Sequence, residues 1–120
     1  MSPLPSHMML GDQAAAQAAL DAGIVSAYGY PGTPSTEALE YLLEVAKTRP
    51  GLQAHTSANE KAALEQALGS VLVGGRSFVT MKHVGLNVAM DPFVSGALVG
   101  LRAGLVLLVA DDPGMHSSQN

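Results

Sequence analysis

Leu105-Val106-Leu107-Leu108-Val109-Ala110-Asp111-Asp112 is the stretch that decides the fold. Its apolar residues run without alternation and stop at two acids. An alternating run would mark a sheet with one wet face. An unbroken run marks a strand covered on both faces, as in a parallel sheet. Working outward, shorter strand-length stretches recur at 24–28, 52–56 and 77–81. A helical pattern follows each of them, and their even spacing suits successive strand–helix units. The sequence therefore predicts an α/β fold: an open, doubly wound parallel sheet, truncated after about its fourth strand.

The helices carry their own signals. An alanine-rich amphipathic pattern predicts a helix over 13–22, capped by Asp12 and ended by Gly23. Thr33-Pro34 reads as the cap and first position of a second helix, which runs through Leu39 and Leu42 to Ala46. Ser57-Ala58-Asn59-Glu60 has capping-box spacing at the start of a third, 60–73. A polar, glycine-containing loop at 82–85 precedes a last helical stretch reaching Leu101, which Asp91-Pro92 restarts. Residues 1–10 read as a tail and 11–120 as part of one domain.

Composition narrows the function. A chain of 120 residues can bury roughly two-thirds of its unfolded surface. Only 13% of its residues are charged, against about 25% in ordinary soluble domains. Much of its surface is therefore expected to lie against another subunit or further protein. A net charge of −4, with two Phe, three Tyr and no Trp, argues against nucleic-acid binding. The absence of cysteine removes disulfides, thiolate metal sites and cluster ligands from these residues, and is compatible with a cytoplasmic location. The most apolar segment, 93–110, is broken by Arg102 and three glycines, so it reads as helix plus strand rather than a membrane span. The start of the chain lacks Lys and Arg and carries Pro3 and Pro5, unlike a signal peptide.

In a doubly wound sheet the loops at the carboxyl ends of the strands carry function. The first is Gly29-Tyr30-Pro31-Gly32-Thr33-Pro34-Ser35: either a tight turn with a threonine cap, or a backbone cradle for a carboxylate or phosphate. It lacks the lysine of a phosphate-binding P-loop and the spacing of a dinucleotide fingerprint. The second carries Glu60, either half of a capping box or a carboxylate able to hold a ligand nitrogen. The third, Thr80-Met81-Lys82-His83-Val84-Gly85-Leu86-Asn87, gathers a cation, an imidazole and an amide. The fourth holds Asp111 and Asp112, as a helix cap or a cation site. The four histidines show no ligand-like spacing, and no protein metal site is assigned.

The motifs at Gly29–Ser35, Asn59-Glu60-Lys61, Thr80–Ala89 and Ala110–Asn120, in that order, resemble one family. The resemblance is to the alpha subunits of indolepyruvate:ferredoxin oxidoreductases, among the thiamine-diphosphate-dependent 2-oxoacid:ferredoxin oxidoreductases. The Met81-Lys82-His83-Val84-Gly85-Leu86-Asn87 loop points to the indolepyruvate branch.

The resemblance implies part of a pyrimidine-binding domain, with Glu60 holding the N1′ nitrogen of the cofactor's aminopyrimidine. It implies Tyr30, Pro31, Gly32 and Thr33 at the cofactor, and Thr33, Lys82, His83 and Asn87 on the substrate side. The whole enzyme would oxidatively decarboxylate indolepyruvate or related aryl pyruvates to acyl-CoA, with ferredoxin as electron acceptor. Thiamine diphosphate would bind with Mg²⁺ on a domain not included here, and iron–sulfur clusters would sit in the full subunit. The remainder of the alpha subunit and a beta subunit would be partners in an oligomer, leaving this fragment inactive alone. The alternative is a non-catalytic binding or interaction module that keeps the same fold.

Overall fold

The computed structural model describes residues 6–116. The first half of the predicted tail and Ser117-Ser118-Gln119-Asn120 lie outside them. The elements in order are α1 (Gly11–Asp21), β1 (Ser26–Gly29), α2 (Thr36–Ala46), β2 (Gln53–Thr56), α3 (Glu60–Leu72), β3 (Ser77–Lys82), α4 (His83–Val88), α5 (Met90–Val99) and β4 (Leu105–Ala110). All strand pairs are parallel, in the order β2-β1-β3-β4. The chain steps outward from β1 to β2, then crosses back to β3 on the other side. The order therefore reverses between β1 and β3, where an open α/β sheet forms a crevice at the strands' carboxyl ends.

Pleating sends successive side chains of β3 to opposite faces. Phe78 joins Ala16, Leu20, Ala38 and Leu42 under α1 and α2. Val79 and Met81 join Ala63, Leu64 and Ala67 under α3, with Ala89 beside them. The alanines leave the helix faces flat, which lets the backbones lie close to the sheet. At the amino ends of β1 and β3 the buried Ser26 and Ser77 hydroxyls bond to each other, and Ser26 Oγ also donates to Ser70 Oγ at 3.0 Å. That satisfies groups whose burial without a partner would cost about 1–3 kcal/mol each.

The expectation of strands covered on both faces holds for β3, buried at every residue, and for most of β1. It fails for the two edges. β2 is largely exposed, and β4 leaves Val106 54% exposed on one face and Val109 37% exposed on the other. An edge strand here has a neighbour on one side only, and the helices pack over the sheet's centre. Val94, Leu98 and Val99 on α5 are also exposed, in keeping with a surface short of charge. Among the described residues, no helix is long and apolar enough to cross a membrane.

Several helix starts differ from the sequence expectations. α1 begins at Gly11, and Asp12 lies in its first turn, accepting from the Gln13 amide rather than capping the helix. Thr33 is not the cap of α2. The Ser35 amide and hydroxyl both donate to the Gly32 carbonyl, closing a turn over 32–35, so the helix starts only at Thr36. The Thr33–Pro34 peptide is cis. The 82–85 loop does not exist as such: β3 continues through Lys82, and α4 starts at His83. The long last helix is two, joined at Ala89, with Pro92 in the first turn of α5, where a missing N–H costs least.

The packing gives a contrast that denaturant unfolding can read. Leu42, fully enclosed, should cost about 2–5 kcal/mol when cut to Ala. Val106→Ala on the open face of β4 should stay near 0.5 kcal/mol or less, as at a surface position. Equal losses would mean that β4 is covered.

Candidate functional site

The crevice is built around the end of β3. Register sets Gly29 beside Thr80, so the chain leaving β1 crosses over Met81 and Lys82. Ser35, buried in that crossing, accepts a bond from Thr80 Oγ1 through its carbonyl at 3.2 Å. The Lys82 side chain passes beneath the loop. A Cβ on Gly32 would lie 3.0 Å from Lys82 Cβ, so glycine lets the two backbones close. Beyond it, Lys82 Nζ donates to the Thr33 carbonyl at 2.9 Å and to Asp112 Oδ1 at 2.7 Å. Both side chains of that ion pair are 9% exposed. Removing one partner of a buried pair typically costs about 3–5 kcal/mol, because the other charge is stranded.

Next to it, His83 Nδ1 lies 3.2 Å from Asp111 Oδ1. The distance suits an ion pair when the ring is protonated, but the alignment is not that of a hydrogen bond. Both ring nitrogens are enclosed and without a hydrogen-bond partner among the described residues. Ligand atoms of His83, Asp111 and Asp112 converge within 4.8 Å. The Lys82 ammonium already supplies positive charge at that point.

Glu60 approaches from the other side. The capping box is not formed: Asn59 caps α3, its Oδ1 accepting from the Ala62 amide at 2.8 Å, while the buried Ser57 turns its hydroxyl to Gln66 at 2.6 Å. Asparagine at the position just before the helix is the better cap, and it releases Glu60 from that duty. The Glu60 side chain lies half-buried against Gly85. A Cβ there would fall 2.5 Å from Glu60 Cγ and 2.7 Å from Oε1. Among the described residues no hydrogen bond or ion pair engages the Glu60 carboxylate.

Its neighbour Lys61 turns away, pairing with Asp91 on α5 at 3.0 Å. The hydrogen bond and charge of Asp91 hold the Lys61 ammonium above its ordinary range, and Lys61 holds the Asp91 carboxyl below its own.

The structure thus joins Gly32, Thr33, Lys82, His83 and Glu60 around the start of α4. Tyr30 and Pro31 sit on the same loop, exposed. Asn87 is exposed on α4, with no recorded contact to the others. Asp112, read from the sequence as a helix cap or cation ligand, and Gly85 take roles here that sequence reasoning did not assign. Two acids directly after a core strand were the available signal for the first. A glycine inside a helical stretch was the signal for the second. A surface cavity of about 670 Å³ beside α1 and α2, lined by Gln13, Gln17 and Tyr41, shares no residue with this crevice.

No protein-family model matches the chain. Among solved structures, the 2-oxoglutarate:ferredoxin oxidoreductase of Magnetococcus marinus superposes with a TM-score of 0.78 at 21% identity, covering 92% of this chain and 19% of that one. The fold is that of a doubly wound α/β domain found in this class of oxidoreductase.

The sequence is more specific. It is 54% identical to the indolepyruvate oxidoreductase subunit IorA of Methanothermobacter marburgensis over 93% of this chain, and 50% identical to that of Archaeoglobus fulgidus. The chain is homologous to IorA subunits along nearly its whole length, and spans 18% of the length of these two.

Two tests follow. Gly85→Ala should fold, at a cost of about 1–3 kcal/mol, but swing the Glu60 side chain to another rotamer. The Glu60 carboxyl carbon resonance should shift while β3 amide resonances hold still. An unmoved Glu60 signal would refute the contact. For the Lys61–Asp91 pair, a lowered Asp91 pKa means stability present above the unfolded value of about 3.9 and lost as pH falls through the folded one. A raised Lys61 pKa means stability present below about 10.4 and lost at higher pH. Asp91→Asn should therefore shift the urea midpoint slightly at pH 7 and not at all at pH 2. A larger effect at pH 2 would contradict the sign.

Proposed function

We propose that this chain supplies the aminopyrimidine side of a thiamine-diphosphate site in an oxidoreductase acting on indolepyruvate or related aryl pyruvates. The observation that carries the reading is Glu60. Its carboxylate is half-buried, is not used by the helix cap, and has no partner among the described residues. Such a group can accept a charge-assisted hydrogen bond from a protonated ring nitrogen, worth about 1.5–3 kcal/mol. The residues therefore fit the aminopyrimidine half of the cofactor. When bound, thiamine diphosphate supplies a thiazolium carbon that becomes nucleophilic toward a 2-oxo group.

This chain's part is to hold a proton in place and orient what binds. Glu60 keeps the N1′ proton on the ring. The Tyr30-Pro31-Gly32-Thr33 loop gives backbone groups and the Thr33 hydroxyl to cofactor or substrate carboxylate. His83, with two enclosed nitrogens lacking hydrogen-bond partners, and Asn87, exposed on α4, face the substrate side. Lys82 belongs to the same side, but its ammonium already bonds Asp112 and the Thr33 carbonyl.

The diphosphate with its Mg²⁺, the iron–sulfur clusters, and the sites for ferredoxin and CoA are assigned to the rest of the alpha subunit and to a beta subunit. The exposed apolar residues of α5 and β4 are the surface that meets them in a cytoplasmic oligomer. Alone, the 120-residue chain is inactive. In the full-length subunit assembled with its partner, Glu60→Gln should lower 2-oxoacid-dependent dye reduction about 10²–10⁴-fold. An unchanged rate would remove Glu60 from the mechanism. A full-length assembly that reduces no dye with any 2-oxoacid would favour a non-catalytic module.

A further inference from the structure

We propose that Lys82 and Asp112 form a buried latch that positions the Thr33 loop, and that Lys82 acts as a positioning residue rather than as the direct partner of a substrate carboxylate. The functional sense of the latch rests on the reading of that loop as ligand-facing. Its existence does not.

The geometry points to this from four sides. Lys82 is the last residue of the most buried strand, and its backbone is held by pairing with Ala110 of β4, two residues beyond the last β1 pair at Thr80. Its stem runs under Gly32 so closely that an added Cβ would press on Lys82 Cβ at 3.0 Å. Its ammonium donates to the Thr33 carbonyl and to Asp112 Oδ1. Asp112 lies two residues past β4, in the next loop along the same edge. One cation thus ties the loop after β1 to the loop after β4 through the end of the strand between them. The paired side chains are each 9% exposed, so water screens the contact poorly and the geometry is held tightly.

The two roles make opposite demands. A lysine waiting for a substrate carboxylate should be held weakly, because binding must displace whatever holds it. Here an incoming carboxylate would have to take the place of Asp112 and let the Thr33 carbonyl go. That would loosen the loop at the moment when it is needed. A latch instead keeps Thr33 in place before the ligand arrives, and such preorganisation appears in turnover more than in affinity.

The test uses the full-length subunit assembled with its partner, as wild type, Lys82→Met, Lys82→Arg, Asp112→Asn and the Lys82→Met/Asp112→Asn pair. Without substrate, amide hydrogen exchange at 30–35 should rise about tenfold or more in Lys82→Met and Asp112→Asn while exchange in β3 holds. The double variant should be no worse than the worse single, and Lys82→Arg should be largely protected. With indolepyruvate, kcat should fall up to about 10²-fold in both singles. KM should change less than about threefold.

The proposal is overturned if Asp112→Asn leaves the loop's exchange unchanged, or if loop and β3 amides rise equally. It is also overturned if Lys82→Met mainly raises KM while Asp112→Asn leaves KM unchanged or lowers it. Should Lys82→Met fail to fold, Asp112→Asn, altered in a loop, carries the same discrimination. An assembly inactive toward every 2-oxoacid would sink the functional reading, whereas the exchange experiment would still decide the latch.

Discussion

β3 is the constraint from which the rest follows. It is paired on both sides and buried at every position, and it ends on a lysine. A cation cannot be buried at the end of such a strand without a counter-charge. Asp112 meets that demand, and the Thr33 carbonyl shares it. The loops after β1 and β4 are therefore not independent pieces hung on a scaffold. They are the groups that make the burial of Lys82 tolerable. The positions of Gly32, Thr33 and Asp112 follow from that requirement before any ligand is considered.

Much of this was legible in the sequence, for a physical reason. Strand-length stretches separated by helical patterns leave few arrangements other than a parallel sheet, and the four strands fall on them. The resemblance added an expectation that pattern alone could not: that Glu60 and the Gly29–Ser35 loop serve one site. Local capping was less legible. Ser57 and Asn59 both qualify as caps by type, and spacing favoured the serine. The structure uses Asn59, because Ser57 is drawn into a side-chain bond with Gln66 nine residues on. Thr33-Pro34 failed similarly: a good local signal for a helix start lost to a turn closed by Ser35. In both places a hydrogen bond outside the motif decided the outcome.

The Lys82 pairing was hidden for a different reason. Its partner lies thirty residues away and on a different strand's loop, so no local pattern connects them. Charge alone suggested a substrate contact. Only the strand order, with β3 beside β4, places the ammonium next to Asp112. The same order places the reversal of the sheet between β1 and β3, where the two halves of the candidate site meet. Topology, more than composition, sets which of the charged residues are used up internally and which face outward.

The open edge of the sheet has a consequence for solubility. Among the described residues, β4 presents one row of unpaired backbone groups along six apolar residues without a charge. Strands of that kind act as templates for pairing with other chains and are the type of segment found in cross-β assemblies. Arg102 stands shortly before it, and Asp111 and Asp112 directly after. Charges placed so close to both ends limit how far a foreign strand can extend its pairing. The two acids thus act as gatekeepers as well as site residues. Neutralising Asp111, the more exposed of the two, would lengthen the sticky window by one residue while leaving the buried Asp112 pair intact.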